Sequence, residues 1–376
     1  MSPSGPTAYL NWLASQNSPL FFTHEFPLYS DAHIISEAEF GPYRFFNTVA
    51  IPTPGAVRQK VALRWDWHWE YQVPTFQKTE ADQYHGGGPA EEIAALASLA
   101  LGVRFRSGDA TRDFSPNGDP KGRPIALTLR AAPTLVKTES REGWILPHAA
   151  EGQHSLELLA PLATLPRLKP EAATSLIRSA RLYQDALWLA ESEPALSWLL
   201  LVSAVETGAV YWRAEKEPAL DRFKTAKPEL FDYLSQLDDG KAAGRVADEF
   251  KDSFGVMRKF LDFLVTFRPE EPTPRPAWGG INWSDKSLQT ILNVVYSYRS
   301  EALHEGKPFP APMCLPPFRH AGQAPTERPD GDMSMVGGTW KAKDIPLLLH
   351  TFEYITRVAL LKWWSSMCAS EARGSA

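Results

Sequence analysis

The sequence predicts an α+β protein: a mixed N-terminal domain of strands and helix over residues 1–165, then an all-α helical bundle over residues 166–376. Three observations carry that expectation. Composition and pattern change near residue 170, with Pro and Gly frequent and strand-like stretches before it, and helical patterns after it. Trp65, Trp67 and Trp69 alternate with Arg64, Asp66, His68 and Glu70, the period-2 signature of a strand with one aromatic and one polar face. From Pro170 onward, apolar residues recur every three or four positions in runs long enough for several helices. A chain of 376 residues accommodates two compact domains, or one with a large insertion.

In the N-terminal stretch, residues 44–51 and 125–131 also read as strands. His85-Gly86-Gly87-Gly88-Pro89 reads as a loop that opens a helix from Glu91 to Leu101, with acids in its first turn. Residues 112–123 hold two Gly and two Pro and read as a further loop.

In the C-terminal stretch, Glu171 to Glu191 places Leu176, Ala180, Tyr183, Leu187 and Ala190 on one stripe. Pro194 opens the next helix, to about Arg213, because proline is tolerated in a first turn. Residues 218–237 suit one or two short helices. A single helix is expected from Gly244 to Phe267, turning Phe250, Phe254, Met257, Leu261 and Leu264 inward. A Pro-rich loop over residues 269–280 precedes a helix capped by Ser284 and carrying Leu288, Ile291, Leu292, Val295 and Tyr298. Residues 307–338 look irregular, and Asp344 to Met367 forms the last helix, ending near Trp363 and Trp364. No internal repeat or low-complexity tract interrupts the pattern.

Bulk chemistry narrows the function classes. With 44% hydrophobic and 22% charged residues the composition is that of an ordinary globular protein. A net charge of -5 argues against generic polyanion binding, so any RNA-handling site has to be a local basic groove or one shared between subunits. Cys314 and Cys368 are too few and too far apart for a zinc framework or a disulfide scaffold, which fits a reducing cytoplasm. No basic stretch followed by an apolar one occupies residues 1–10, so no secretion signal is expected there. The apolar run Leu196 to Trp212 falls short of a comfortable membrane span, contains Glu206, and reads as a buried helix.

The segment that carries chemistry is Tyr296-Ser297-Tyr298-Arg299-Ser300-Glu301-Ala302-Leu303-His304-Glu305-Gly306-Lys307-Pro308. Arg299 and His304 lie five positions apart near a helix end. On a continuous helix that spacing separates them by roughly 140° around the axis, at about 100° per residue. Gly306 suits the left-handed position after a helix, and Pro308 cannot continue one. His304 is therefore expected in a fraying last turn, free to swing toward Arg299, where the helix end favours a cationic imidazole. Histidine suits proton transfer, and arginine's planar fork suits phosphate oxygens. One histidine does not readily serve both ends of an in-line attack on RNA, whereas a two-fold dimer would supply two Arg/His pairs.

Residues 296–306 resemble the Arg-x4-6-His signature of the HEPN superfamily, in particular the Tyr-x-x-Arg-Ser-x-x-x-His-x-Gly run of Apea-like HEPN proteins. The resemblance extends over about residues 170–368, including the helix with an embedded acid from Leu199 to Glu206, the helix end at Phe260 to Phe267, and the last helix around Phe352, Glu353 and Tyr354. It is weaker from Glu91 through Arg104 to Arg112. It implies a dimeric, all-α, metal-independent endoribonuclease, commonly a toxin or abortive-infection effector. Arg299 would then contact phosphate and His304 would transfer protons. Ser300, where many active members have Asn or Asp, would orient either partner, and Glu206 would hold Arg299 or Arg181.

Plainer roles exist for each residue. Arg299 and His304 could satisfy helix-end carbonyls, and Glu206 could be a buried ion-pair partner with no part in catalysis. The tryptophan stripe suits a core or inter-domain face better than base stacking. His85 and its glycines could form an anion nest, but Glu91 and Glu92 argue against phosphate. His68, Asp66 and Glu70 lack a second cluster to complete a metal site, so neither a metal nor a cofactor is expected. The expected function is an RNA-cleaving cytoplasmic homodimer, with no membrane association, whose N-terminal domain senses a trigger or regulatory partner. The alternative is a silent HEPN module that binds RNA or a nucleotide, or scaffolds a partner.

Overall fold

Alternation around Trp65 does build a strand, and that strand lies inside a larger sheet. The computed structural model describes residues 5–48, 56–70, 79, 88–114, 120–125, 131–137, 143–214, 218–237, 241–249, 255–319 and 322–374. In chain order, α1 (Thr7–Ser15) precedes β1 (Phe22–Ser30), β2 (His33–Ile35), β3 (Ala38–Phe40), β4 (Tyr43–Asn47) and β5 (Arg58–Trp67). Next come α2 (Pro89–Leu101), β6 (Arg106–Ser107), β7 (Arg112–Phe114), β8 (Arg123–Pro124), α3 (Pro147–Ala150), β9 (Gln153–Ser155) and a 3-10 stretch over Leu156–Arg167. The helical part holds α4 (Pro170–Leu189), α5 (Pro194–Ala214), α6 (Ala219–Ala226), α7 (Pro228–Ser235), α8 (Lys241–Glu249) and α9 (Val256–Thr266). It continues with α10 (Asp285–Glu305), the small hairpin β10 (Met333–Met335) and β11 (Gly338–Trp340), and α11 (Leu349–Gly374). The architecture is α+β, with a sheet-containing N-terminal part and a helical C-terminal part.

Among the described residues the main sheet runs β3-β4-β5-β1-β7-β8, with β6 also pairing β1. The antiparallel register sets Trp65 opposite His24 on one side and Tyr43 on the other. Strand alternation then sends Tyr43, Phe45, Leu63 and Trp65 to the core face, where all four are buried. The opposite face pairs its charges across strands: Arg64 with Glu25 at 3.0 Å, and Arg44 with Asp66 at 2.5 Å. β5 ends at Trp67, so Trp69, expected to lie in the strand, falls beyond it, although the three indoles pack in succession.

α2 is the centre of the molecule. Its five alanines let neighbours approach closely, and eleven of its residues are buried, against α1, α4 and the 3-10 stretch. The acid read as a first-turn residue of α2 does more: Glu92 accepts Ala8 N–H at 2.7 Å and Thr7 N–H at 3.3 Å, capping α1, which lacks a side-chain cap of its own. Burial pushes the Glu92 carboxyl up to about 7. One hydrophobic core runs from Ala8 through α2 to Trp364 and joins the sheet to α4, α5, α9, α10 and α11. A small satellite of Phe223, Ala243 and Ala247 sits under α6 and α8.

Buried charge joins the two parts of the chain. Arg104 follows α2 and donates to Asp31 at 2.8 Å, to Glu191 at 2.7 Å and to the Leu187 carbonyl at 2.8 Å. All three ionic side chains are almost wholly buried. Glu191 also accepts the N–H groups of Ile145 and Leu146, which fixes the segment leading into α3.

Several local expectations are corrected. The helix expected over residues 244–267 is two helices, because Gly255 takes φ +73°, which an α-helix cannot pass through. Leu261 and Leu264 are buried as expected, but Met257 is exposed, and Phe250 and Phe254 lie outside the described residues. Ser284 occupies the cap position of α10 without a side-chain cap bond, and its backbone N–H donates to Asn282 Oδ1. The ends of the supposed loop at 112–123 pair as β7 and β8, while residues 115–119 lie outside the described residues, as do 49–51, 85–87 and 126–130. The stretch 307–338, expected to be irregular, contains a 3-10 turn at Ala311–Cys314 and the strand β10. The last helix begins at Leu349, after Pro346, and continues past Trp364 to Gly374. α5 is long and apolar enough to cross a membrane, yet Trp198, Leu201, Val202, Val205 and Ala209 are buried in the protein core.

Candidate functional site

The Arg299/His304 segment forms the last turns of α10, which packs on α5 and α9. Val295 and Tyr296 turn inward and fix the rotation of the helix, so Arg299, three residues after Tyr296, points at the same neighbour. There Arg299 Nη2 donates to Glu206 Oε2 at 2.6 Å, and the Tyr296 hydroxyl donates to Glu206 Oε1 at 2.9 Å. The guanidinium also lies 5.6 Å from the Tyr296 ring centre. Burial, and then the adjacent Glu206 carboxylate, push the Tyr296 phenol well above its ordinary value, so it acts here as a donor. Of the two arginines weighed as its partner, Arg299 is the one Glu206 is seen to hold.

His304 is placed differently. α10 remains helical through Glu305, and the left-handed residue that ends it is Gly306, at φ +68°. Gly306 ends the helix as expected, but the last turn that holds His304 is helical and not frayed. Five helical steps therefore hold Arg299 and His304 about 140° apart around the axis. Arg299 faces the bundle, and His304 is exposed with no described hydrogen-bond partner. Ser300 is half-buried and makes no described bond to either residue. Lys307 bridges Glu301 and Glu305 beside the histidine, so two carboxylates meet one ammonium there and the described helix end in one copy is no basic groove. Leu303, exposed at 53%, adds an apolar surface to that end.

A second site was not visible in the sequence. A cavity of about 580 Å³ opens between the start of α11, the segment 146–152, the loop at 272–283, and Arg319 with residues 324–327. His350, Glu353 and Arg357 recur along α11 at helical spacing and face it together with Tyr354. That polar stripe on an otherwise apolar helix was the available signal. Glu353 accepts the Tyr183 hydroxyl at 2.5 Å and lies 3.4 Å from Arg357 Nε. Burial raises the Glu353 carboxyl, and burial pushes His350 down to about 4, favouring the neutral ring.

Behind this cavity His148 and His154 meet edge-to-face at 5.0 Å. Burial first, and then neighbouring positive charge, push both down to about 4. His148 opens onto the cavity, where water offsets part of that penalty, whereas His154 is only 4% exposed. The unfolded chain binds a proton at His154 near pH 6.5, and the folded chain does so only near 4. Stability from this residue is therefore complete above about pH 6.5 and is lost as pH falls toward 4, by ~2–3 kcal/mol. Urea midpoints measured between pH 7 and 4.5 should fall less steeply in His154→Asn than in wild type, and equal slopes would remove the assignment. Glu92 works in the opposite direction in both proteins and cancels in the comparison.

Gly102 closes the same corner. It ends α2 at φ +73°, and a Cβ there would lie 2.9 Å from both Arg357 Nε and His148 Nε2. Gly102→Ala should cost about 1–2 kcal/mol from backbone conformation alone, read as a lower denaturation midpoint. A substitution without effect would mean that the corner relaxes freely.

Elsewhere, of the three residues weighed as metal ligands, His68 and Glu70 fall beyond the end of β5 at Trp67, and Asp66 and His68 are already engaged. Asp66 holds Arg44 and the Thr23 hydroxyl, and His68 Nδ1 lies 3.0 Å from the Ser18 carbonyl. Among the described residues no group of three or more His, Cys, Asp or Glu is placed to hold a metal ion. No known family matches the chain, and neither does any curated protein or solved structure.

Proposed function

We propose that the chain is a HEPN-type endoribonuclease whose active centre is completed by a second copy across a two-fold axis. One observation carries this reading: His304 stands exposed and partnerless at the end of α10, while Arg299 on the same helix is held by Glu206 with its second terminal nitrogen unclaimed by any described residue. A single copy holds the two side chains on different sides of the helix. An isologous pairing of two α10 ends, with Leu303 supplying apolar contact, would set the histidine of one copy near the arginine of the other.

In that setting one imidazole takes the 2′-hydroxyl proton as the 2′-oxygen bonds to phosphorus. The P–O5′ bond breaks, and the second copy's imidazolium protonates the leaving 5′-oxygen. The guanidinium carries the charge that builds on the phosphoryl oxygens. The products are a 2′,3′-cyclic phosphate and a 5′-hydroxyl end, with no metal required. The matching biological role is a cytoplasmic toxin or antiviral-defence effector, with the N-terminal part sensing a trigger.

The charge balance at the helix end favours a second reading, a silent HEPN module that binds RNA or scaffolds a partner. Glu206 already neutralises Arg299, and Lys307 is spent on Glu301 and Glu305. Incubating purified protein with total RNA and tRNA in EDTA, alongside a native mass measurement, separates the two. Cyclic-phosphate products from a dimer support the nuclease. Intact RNA bound by the protein supports the silent module and removes the first reading.

A further inference from the structure

We propose that the cavity beside α11 binds a small monoanion with a flat apolar body, an aromatic carboxylic acid, with Arg357 receiving the carboxylate. The inference does not depend on the ribonuclease reading. At about 580 Å³ the space is of ligand size, within the roughly 300–1,000 Å³ usual for such sites.

Arg357 supplies the anchor. Its side chain is 16% exposed, its Nε lacks a hydrogen bond, and its nearest acid, Glu353, stands 3.4 Å away. No described residue takes its two terminal nitrogens. A buried guanidinium with an open fork matches the two oxygens of a carboxylate. The other charged groups facing the cavity set the ligand's charge. Arg319 is bound to Glu151 at the rim, and Glu327 is satisfied by the Ile281 N–H at 2.7 Å and by Arg275 at 3.1 Å. Glu353 adds a further acid, so a dianion would meet carboxyl groups on two walls, whereas a single negative charge at Arg357 would not. His148 and His350 offer neutral rings.

The body of the ligand is set by the remaining wall. Trp283 and Tyr354 meet edge-to-face at 5.9 Å, and Pro272, Pro274 and Pro276 line the space beside them. Prolines and aromatic rings lose little freedom when a flat molecule settles against them, so the surface is ready for binding.

The test uses 2-naphthoate as probe, with 2-naphthol and inorganic phosphate as controls, read by calorimetry and by the thermal midpoint of the full chain. Naphthoate should bind and raise the midpoint, naphthol and phosphate should not, and Arg357→Gln should weaken naphthoate by at least about tenfold. Ala324→Phe, which adds a ring at the cavity wall and leaves Arg357 in the sequence, should remove binding while keeping the ligand-free midpoint, and it carries the test if Arg357→Gln does not fold. Absence of naphthoate binding to wild type, equal binding of naphthol, tighter binding of phosphate, or binding that survives Ala324→Phe would each overturn the proposal.

Discussion

Replacing Arg104 by alanine should cost about 3–5 kcal/mol of folding stability, a large share of the roughly 5–15 kcal/mol that a folded domain possesses. The residue is fully buried, and its guanidinium is shared between Asp31, Glu191 and the Leu187 carbonyl. Alanine would leave two buried carboxyl groups without their cation and a cavity where the side chain had been. Burial already raises the Asp31 carboxyl against the pull of Arg104, so loss of the arginine should drive proton uptake at this joint. Urea unfolding followed by tryptophan fluorescence measures the loss. A change below about 1 kcal/mol would show that the triad is not a stabilising joint. The same variant should loosen the cavity, because Glu191 holds the backbone of Ile145 and Leu146, and Leu146 forms part of the cavity wall.

His304→Ala should lower RNA cleavage by about 10²–10⁴-fold, the range associated with losing a positioned proton-transfer group. Stability should hardly change, because His304 is exposed and makes no described bond. That separation makes histidine the sharper target. Arg299→Ala would strand Glu206 beside the Tyr296 hydroxyl and confound folding with chemistry, so Arg299→Lys is the better companion. If the active centre draws a histidine from each copy, adding His304→Ala protein to wild type should lower the wild-type activity, since a mixed dimer holds only one of the two imidazoles the step uses. Cleavage by His304→Ala at the wild-type rate would dismiss the histidine from catalysis. RNA binding that neither substitution alters would move the reading to the silent module.

Local pattern made much of the fold legible. Helices α2, α4, α5 and α10 were visible because their buried residues recur at the helical period within one segment, and β5 was visible because its tryptophans alternate. What escaped were elements whose reason lies elsewhere in the chain. α1 has no side-chain cap and depends on Glu92, 84 residues away from Ala8. β1 contains Pro27 yet pairs through the middle of the sheet, where its neighbours are β5, β6 and β7. The 3-10 stretch over Leu156–Arg167 carries two internal prolines and buries four leucines, a pattern that resembles a broken helix when viewed locally.

At the candidate site, sequence identified Arg299, His304 and Glu206, and the structure joined Arg299 to Glu206 while turning His304 outward. A helix repeats every 3.6 residues, so five positions fix an angle, and only the location of the terminating glycine decided whether that angle held. Sequence alone therefore determined the helical segments α2, α4, α5 and α10 and the glycine at which α10 stops. Tertiary structure alone decided the Arg104 joint, whose partners lie 73 and 87 residues away, and the cavity, whose walls come from four separate segments. Periodicity reports only neighbours three or four residues apart, whereas buried charges find partners wherever the packed core brings the chain together.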